Sequence, residues 1–386
     1  MFDALAAALD GSGPAILPLD PGLPRARLTA LLDALAPSAI ETQDGLERPV
    51  SSHTGHAKAK GVSEETALVI ATSGSTGPPK GTELSAAALR ASAAASLRRL
   101  GASPGERWLC CLPTFHIAGV QVLVRSLLSG PTPVVAPRLE PGALAASGCS
   151  HVSVVPTQLR RLLDEGDDLT AVKTILLGGA AATPGLLEAA RAAGGRVVTT
   201  YGMSETGGGC VYEGMPLDDV SVGIGPGSRI RIAGPVLFSG YRLRPDLTAR
   251  ARDGRWFVTS DIGSIGPSGK LVVRGRADDM INTGGEKVVA AEVEAALGNC
   301  AGVREVAVVG RPDREWGEVV TAVVVPADPA QPPQLADIRE HVRDKLPVYA
   351  APAGLLLVSD LPMLASGKPD REALRAHVAG GGGAGS

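Results

Sequence analysis

Between residues 67 and about 210, short apolar runs alternate with segments of helical character, and that alternation restricts the folds open to this chain. The runs at 67–71, 108–112, 152–155, 174–177 and 196–200 are rich in Val, Leu and Ile, as buried strands are. One intervening segment, 85–100, is Ala-rich, with Ser85 placed as its N-cap and Gly101 just past its end. Strand–helix alternation predicts an α/β fold, with ligands held on the loops that follow the strands. From 220 to 274 the strands shorten (229–232, 256–260, 271–274) and are separated by Gly, Pro and Asp, which predicts a small β-rich subdomain. After Arg276, a helix (291–297), strands (305–309, 319–325), a helix (335–346) and a strand (355–358) predict a compact α+β unit. The expected organisation is therefore a large N-terminal domain, 1–275, and a small C-terminal domain, 276–379. Residues 48–63 read as a polar surface loop, and the GGGGAGS tail, 380–386, as disordered.

Aromatics are only 3% of the 386 residues, so Ala, Val and Leu must fill the cores. The net charge is −3 with no basic block, which removes electrostatic support for nucleic-acid binding. No apolar run approaches the ~20 residues of a membrane span, and the N-terminus lacks a signal-peptide pattern, so a cytoplasmic location is expected. Five scattered cysteines (110, 111, 149, 210, 300) fit neither a disulfide framework nor a zinc site. A homo-oligomer is compatible with this composition, which does not specify one.

Five segments carry polar chemistry. TSGSTGPPKGTE (72–83) follows the first strand. Its Gly, Ser and Thr expose backbone N–H groups and hydroxyls that can wrap phosphate oxygens, and Lys80 adds positive charge. It is not a Walker loop, which needs Gly-Lys followed by Ser or Thr. TTYGMSETGGG (199–209) offers the Tyr201 ring for stacking on a base, Ser204 and Thr206 hydroxyls for a phosphate, and Glu205 as a hard oxygen ligand for Mg²⁺. A strand-to-helix turn with a solvated Glu has the same composition. TSDIG (259–263) closes a strand with Asp261, which can accept bonds from a ribose diol or cap a turn. GRADDMINTGGEKV (275–288) sits where the composition changes, and reads equally as a hairpin turn with a charged linker. LASGKPDR (364–371) contains Lys368, which alone would be an ordinary surface lysine.

In order and spacing, these segments resemble the signature motifs of the adenylate-forming superfamily, which comprises acyl-CoA synthetases, luciferases and the adenylation domains of peptide synthetases. The resemblance covers most of the chain, with an opening part shorter than is usual there. It implies that a carboxylate is activated with ATP and Mg²⁺ and passed to CoA, with domain alternation between the two steps. Carried onto this sequence, Thr72, Ser73, Gly74, Ser75, Thr76, Gly77 and Lys80 handle the phosphates. Tyr201 stacks on adenine, with Gly202 and Gly179 beside it. Ser204 meets the α-phosphate and Glu205 the metal, while Asp261 and Arg276 take the ribose. Asp278 is the pivot of a hinge at 276–279, Gly284 and Gly285 line a tunnel for the pantetheine arm of CoA, and Lys368 bridges carboxylate and α-phosphate.

The segments 113–130, 154–159 and 205–220 look like those of the o-succinylbenzoate–CoA ligases of menaquinone biosynthesis, in their short actinobacterial form. That likeness implies an acyl pocket at His116, Gly119, Gln158, Gly178 and Ala180. A helix N-terminus after His116 could face the anion. Arg125, a candidate counter-ion, lies nine residues on, half a turn out of phase with His116, and is expected on the helix surface or at a partner contact rather than as a ligand. Other acyl- or aryl-CoA ligases, a free-standing enzyme loading a carrier protein, and a non-catalytic nucleotide-binding regulator share much of this pattern.

Overall fold

The computed structural model describes residues 1–42, 45–47, 61–72, 79–364 and 369–380. Ser73, Gly74, Ser75, Thr76, Gly77 and Lys368 lie outside the described residues, as do 48–60 and the tail from 381.

The centre of the molecule is a seven-stranded sheet in the order Met215–Pro216, Gly208–Tyr212, Val197–Met203, Thr174–Leu177, His151–Val154, Trp108–Cys110, Val134–Val135. The last five of these run parallel, and the Gly208–Tyr212 and Met215–Pro216 strands close one edge as antiparallel hairpins. Successive residues of the parallel strands point to opposite faces, and both faces are covered, so the strands are mostly apolar and buried throughout their inner lengths. Trp108, Cys110 and Leu176 pack on one face, against Leu89, Val120 and Val124. Leu109, Ile175 and Leu177 pack on the other, against Leu159, Leu162 and Leu186.

The Thr66–Thr72 strand does not join this sheet, although the alternation read from the sequence included it. Lys80–Ser85, seven residues further along the chain, pairs antiparallel with it, Thr72 opposite Lys80, and Gly240–Tyr241 adds a third strand. A parallel partner needs a crossover of a dozen or more residues, and this connection is too short for one. The helix that follows is as expected. Ala86–Leu100 starts where the Ser85 hydroxyl accepts from the Ala88 N–H (3.1 Å) and stops at Gly101 in the left-handed conformation.

The β-rich part is a five-stranded antiparallel sheet built around Trp256–Ile265, which pairs with Arg229–Ala233, Arg252–Asp253 and Leu271–Arg276. One short helix, Pro245–Arg250, interrupts a stretch expected to hold little. A 3₁₀ turn, Ala277–Asp279, leads into the small C-terminal domain. There Gly317–Pro326 is the central strand, with Ala290–Leu297 and Leu335–Arg343 packed on one face and Arg371–Gly380 on the other. Helix 335–343 ends shortly before Pro347, three residues earlier than the apolar pattern to Leu346 suggested. The domains meet through an ion pair across the turn, Arg274 to Glu292 at 2.5 Å. All five cysteines are buried and free, and burial pushes the Cys111 and Cys210 thiols up to about 12. Among the described residues no helix is long and apolar enough to cross a membrane.

Candidate active site

The carboxyl ends of three parallel strands carry the 199–209 segment and the turns at 155–158 and 178–180, while 72–83 and Asp261 come from antiparallel strands. The Val197–Met203 strand delivers Tyr201 and passes into the 3₁₀ turn Ser204–Thr206. Gly202 is required here because the chain doubles back closely: a Cβ on it would stand 2.0 Å from the Gly208 carbonyl oxygen. Thr206 does not face outward. It is fully buried, its hydroxyl accepts from the Met203 N–H (2.9 Å) and lies 2.7 Å from the Gly208 carbonyl, so it builds the turn rather than offering a phosphate ligand. Ser204 and Glu205 are half-buried.

Two chains of contact organise the polar groups. In the first, the Tyr201 hydroxyl donates to Asp261 (2.8 Å), and the Asp261 carboxylate lies 3.6 Å from Arg276, directly opposite it in the antiparallel register. Arg276 also pairs with Asp278 at 3.1 Å. Burial, with the charge of Asp261 beside it, pushes the Tyr201 phenol well above its ordinary value, so it stays a donor. Residues 60 apart in sequence thus meet, and the chain of contacts ends in the turn between the domains. In the second, the Tyr241 hydroxyl donates to Glu205 (2.8 Å), and the Lys80 ammonium lies 5.6 Å from the centroid of the same ring. The Thr72 hydroxyl reaches the Lys80 carbonyl at 3.4 Å.

Tyr241 was missed in the sequence. The available signal was scarcity: of only four tyrosines, two hydrogen-bond a carboxylate of this site.

Gly178 and Gly179 follow Thr174–Leu177. A Cβ on Gly178 would lie 2.5 Å from the Thr200 hydroxyl, and Gly179 has φ +84°, so both need glycine. Ala180 continues this turn, half-buried. His116 precedes helix Ile117–Ser129, its ring edge-on to Phe115 at 4.7 Å. Gly119 serves packing, since a Cβ would meet the Pro113 carbonyl oxygen at 2.3 Å. Gln158 is engaged at both ends: its amide accepts from the Val155 N–H (3.1 Å) and donates to the Cys111 carbonyl (3.2 Å), tying two strand ends together.

Arg125 departs from its expected place. It is 4% exposed, donates to the Ser153 hydroxyl at 2.9 Å and lies 4.2 Å over the Trp108 ring. The phase difference from His116 assumed a helix with one buried face, and Ile117–Ser129 is buried nearly all round. Among the described residues no carboxylate pairs with Arg125, and burial lowers its pKa.

Gly284 and Gly285 form the tip of the hairpin between Met280–Thr283 and Glu286–Val289, both with positive φ. The Trp316 ring covers Gly284, and Gly285 is open. Lys368 precedes Pro369 and the helix Arg371–Gly380, whose first turn is capped by the Asp370 carboxylate.

A divalent cation fits Glu205. No Lys or Arg among the described residues pairs with its carboxylate, and no cluster of three or more His, Cys, Asp or Glu is placed to hold a resident metal. A cation here would draw its remaining ligands from a nucleotide's phosphates and water.

The profile of the AMP-binding enzyme family matches residues 5–236, and that of the AMP-binding enzyme C-terminal domain matches 292–368. This chain belongs to the AMP-binding enzyme family. Among its relatives is a probable 2-succinylbenzoate–CoA ligase of Mycobacterium tuberculosis, 45% identical over 335 residues, covering 83% of this chain and 86% of the relative. The 2-succinylbenzoate–CoA ligase of Listeria monocytogenes is 34% identical over 333 residues, covering 80% and 69%. The o-succinylbenzoate CoA synthetase of Bacillus subtilis, solved with its acyl-adenylate intermediate, superposes with a TM-score of 0.73 at 29% identity, covering 84% and 72%. ATP-bound MatB of Rhodopseudomonas palustris, at 24% identity and a TM-score of 0.83, covering 97% of this chain and 86% of that one, shares the fold.

Proposed function

We propose that this protein is an acid–thiol ligase that adenylates o-succinylbenzoate with ATP and transfers the acyl group to CoA. The observation that carries the reaction class is the contact chain Tyr201–Asp261–Arg276–Asp278, which joins a stacking ring and a diol-sized acceptor to the interdomain turn. The choice of acid is supported by the relatives' names.

In the first step the acid's carboxylate oxygen attacks the α-phosphorus of ATP, a P–O bond to pyrophosphate breaks, and an acyl-adenylate forms. Both reactants are anionic. Lys80, Lys368 and the Ser204 hydroxyl supply fixed positive charge and a donor where negative charge gathers. A cation carried by ATP would bind Glu205 and offset phosphate charge. Tyr201 holds adenine, with Gly179 and Gly202 leaving it room, and Asp261 and Arg276 hold the ribose. Pyrophosphate departs along the 72–80 segment. Rotation about Asp278 withdraws Lys368 and brings the Gly284-Gly285 hairpin toward the acyl carbon. The CoA thiolate, having given up its proton, then attacks that carbon and AMP leaves with the bonding electrons.

The second carboxylate of the acid stays ionised and needs a partner. Arg125, buried against Trp108 and the Ser153 hydroxyl, pairs with no carboxylate among the described residues, and it is our candidate.

The test is ATP- and CoA-dependent thioester formation with o-succinylbenzoate, benzoate, several fatty acids and an amino-acid mixture. Preference for o-succinylbenzoate by about 100-fold or more in kcat/KM supports this function, since a site built around a buried charge rejects acids lacking the matching group by such factors. Preference for another acid discards the substrate and keeps the chemistry. AMP release without thioester points to a carrier-protein acceptor.

A further inference from the structure

The segment 238–241 lies outside every motif above, yet it holds Glu205 at both ends. The Phe238 N–H donates to the Glu205 carbonyl at 2.9 Å, and the Tyr241 hydroxyl donates to carboxylate Oε1 at 2.8 Å. Tyr241 has little freedom of its own. It pairs with Thr82 in the strand register, and its N–H donates to the Thr248 hydroxyl at 2.8 Å. Its ring rests on Phe238, centroids 4.9 Å apart, and Phe238 is buried in the main core against Phe257.

We propose that Tyr241 is the positioning residue for the carboxylate with which Glu205 meets a divalent cation. Mg²⁺ demands near-octahedral geometry and favours oxygen ligands taken singly over a wide bidentate bite. With Oε1 held by the Tyr241 hydroxyl, Oε2 is the oxygen presented to a cation. A carboxylate fixed by such an outer partner is already oriented, and losing that partner costs roughly 10- to 100-fold in metal affinity. The Lys80–Ser85 strand sets the register of Tyr241 and also carries Lys80, so one short strand aligns the ammonium and the carboxylate. This role rests on the assignment of Glu205 to the metal made under the proposed function.

The test uses Tyr241→Phe in the full chain, which keeps the ring and its packing and removes only the hydroxyl. Mn²⁺ binding is measured by electron paramagnetic resonance with α,β-methylene ATP present, and nucleotide binding is measured separately in EDTA. The expected result is about a 10- to 100-fold loss of Mn²⁺ affinity, with metal-free nucleotide affinity and thermal midpoint unchanged. In a Glu205→Gln background the same substitution should add no further loss. Unchanged Mn²⁺ affinity in Tyr241→Phe overturns the proposal. So does an equal loss of nucleotide binding with and without Mn²⁺, which would make Tyr241 a fold or nucleotide contact. If the unsubstituted protein binds the nucleotide with no Mn²⁺ dependence, the metal role of Glu205 fails first and that of Tyr241 with it. None of these outcomes depends on which acid the enzyme uses.

Discussion

At the scale of single residues, two charged side chains flank the Trp108–His151 stack and are held there by different contacts. Among the described residues Arg125 is buried with no carboxylate partner, an arrangement expensive for the fold unless an anion meets it. We expect Arg125→Lys to raise KM for o-succinylbenzoate by about 10- to 100-fold and to leave KM for ATP unchanged, because Lys keeps the charge and loses the fork that pairs with a carboxylate. Steady-state kinetics with each substrate varied in turn decide it. Glu106, at the amino ends of the strands, accepts from Lys173 (2.8 Å) and contacts fully buried His151 (2.9 Å). The Lys173 hydrogen bond holds the Glu106 carboxyl down at about 2, and burial holds His151 below its ordinary value of 6.5. Both groups therefore bind fewer protons folded than unfolded. His151 begins to withdraw stability as pH falls below 6.5, and Glu106 does so between 4.5 and about 2. Glu106→Gln should flatten the acid limb of the stability curve by roughly 2 kcal/mol, read by urea unfolding across pH.

At the scale of elements, the site depends on close backbone passage. Gly202→Ala would drive a methyl into the Gly208 carbonyl and displace the Ser204–Thr206 turn. We expect a loss of roughly 2–4 kcal/mol of stability, with weaker nucleotide binding, seen by thermal unfolding and by titration with ATP. Elements whose signal is local were legible in the sequence. Thr174–Leu177 was read with its observed bounds, and the 86–100 helix with both caps, because apolar runs and capping residues act over a few positions. The Lys80–Ser85 strand was not seen. Its buried positions include Gly81 and Thr82, so it shows no apolar alternation, and Leu35 and Val69 fill the space above Gly81. Tyr201, Glu205 and Asp261 were singled out by motif, but their partners were not. Tyr241 and the buried face of Arg125 are set by strands and helices far away in sequence, which no local pattern encodes.

At the scale of the whole molecule, the Ala277–Asp279 turn connects two units that each have their own cores. Fixing φ there with Asp278→Pro should leave ATP–pyrophosphate exchange near its original rate and lower thioester formation by about 100-fold or more, since only the second half-reaction needs the other arrangement. Assaying the two half-reactions separately, with supplied acyl-adenylate for the second, gives the answer; equal effects on both would remove Asp278 from the pivot. Arg276 stands between Asp261, which we propose accepts the ribose, and Asp278, which we propose is the pivot, and touches both. One guanidinium cannot favour both neighbours independently. Whatever factor a bound ribose contributes to the balance between the two domain arrangements, those arrangements return to the affinity for AMP, by thermodynamic reciprocity. Product escape and the resetting of the domains are then one equilibrium viewed from two ends, and a substitution at Arg276 that hastens one must shift the other.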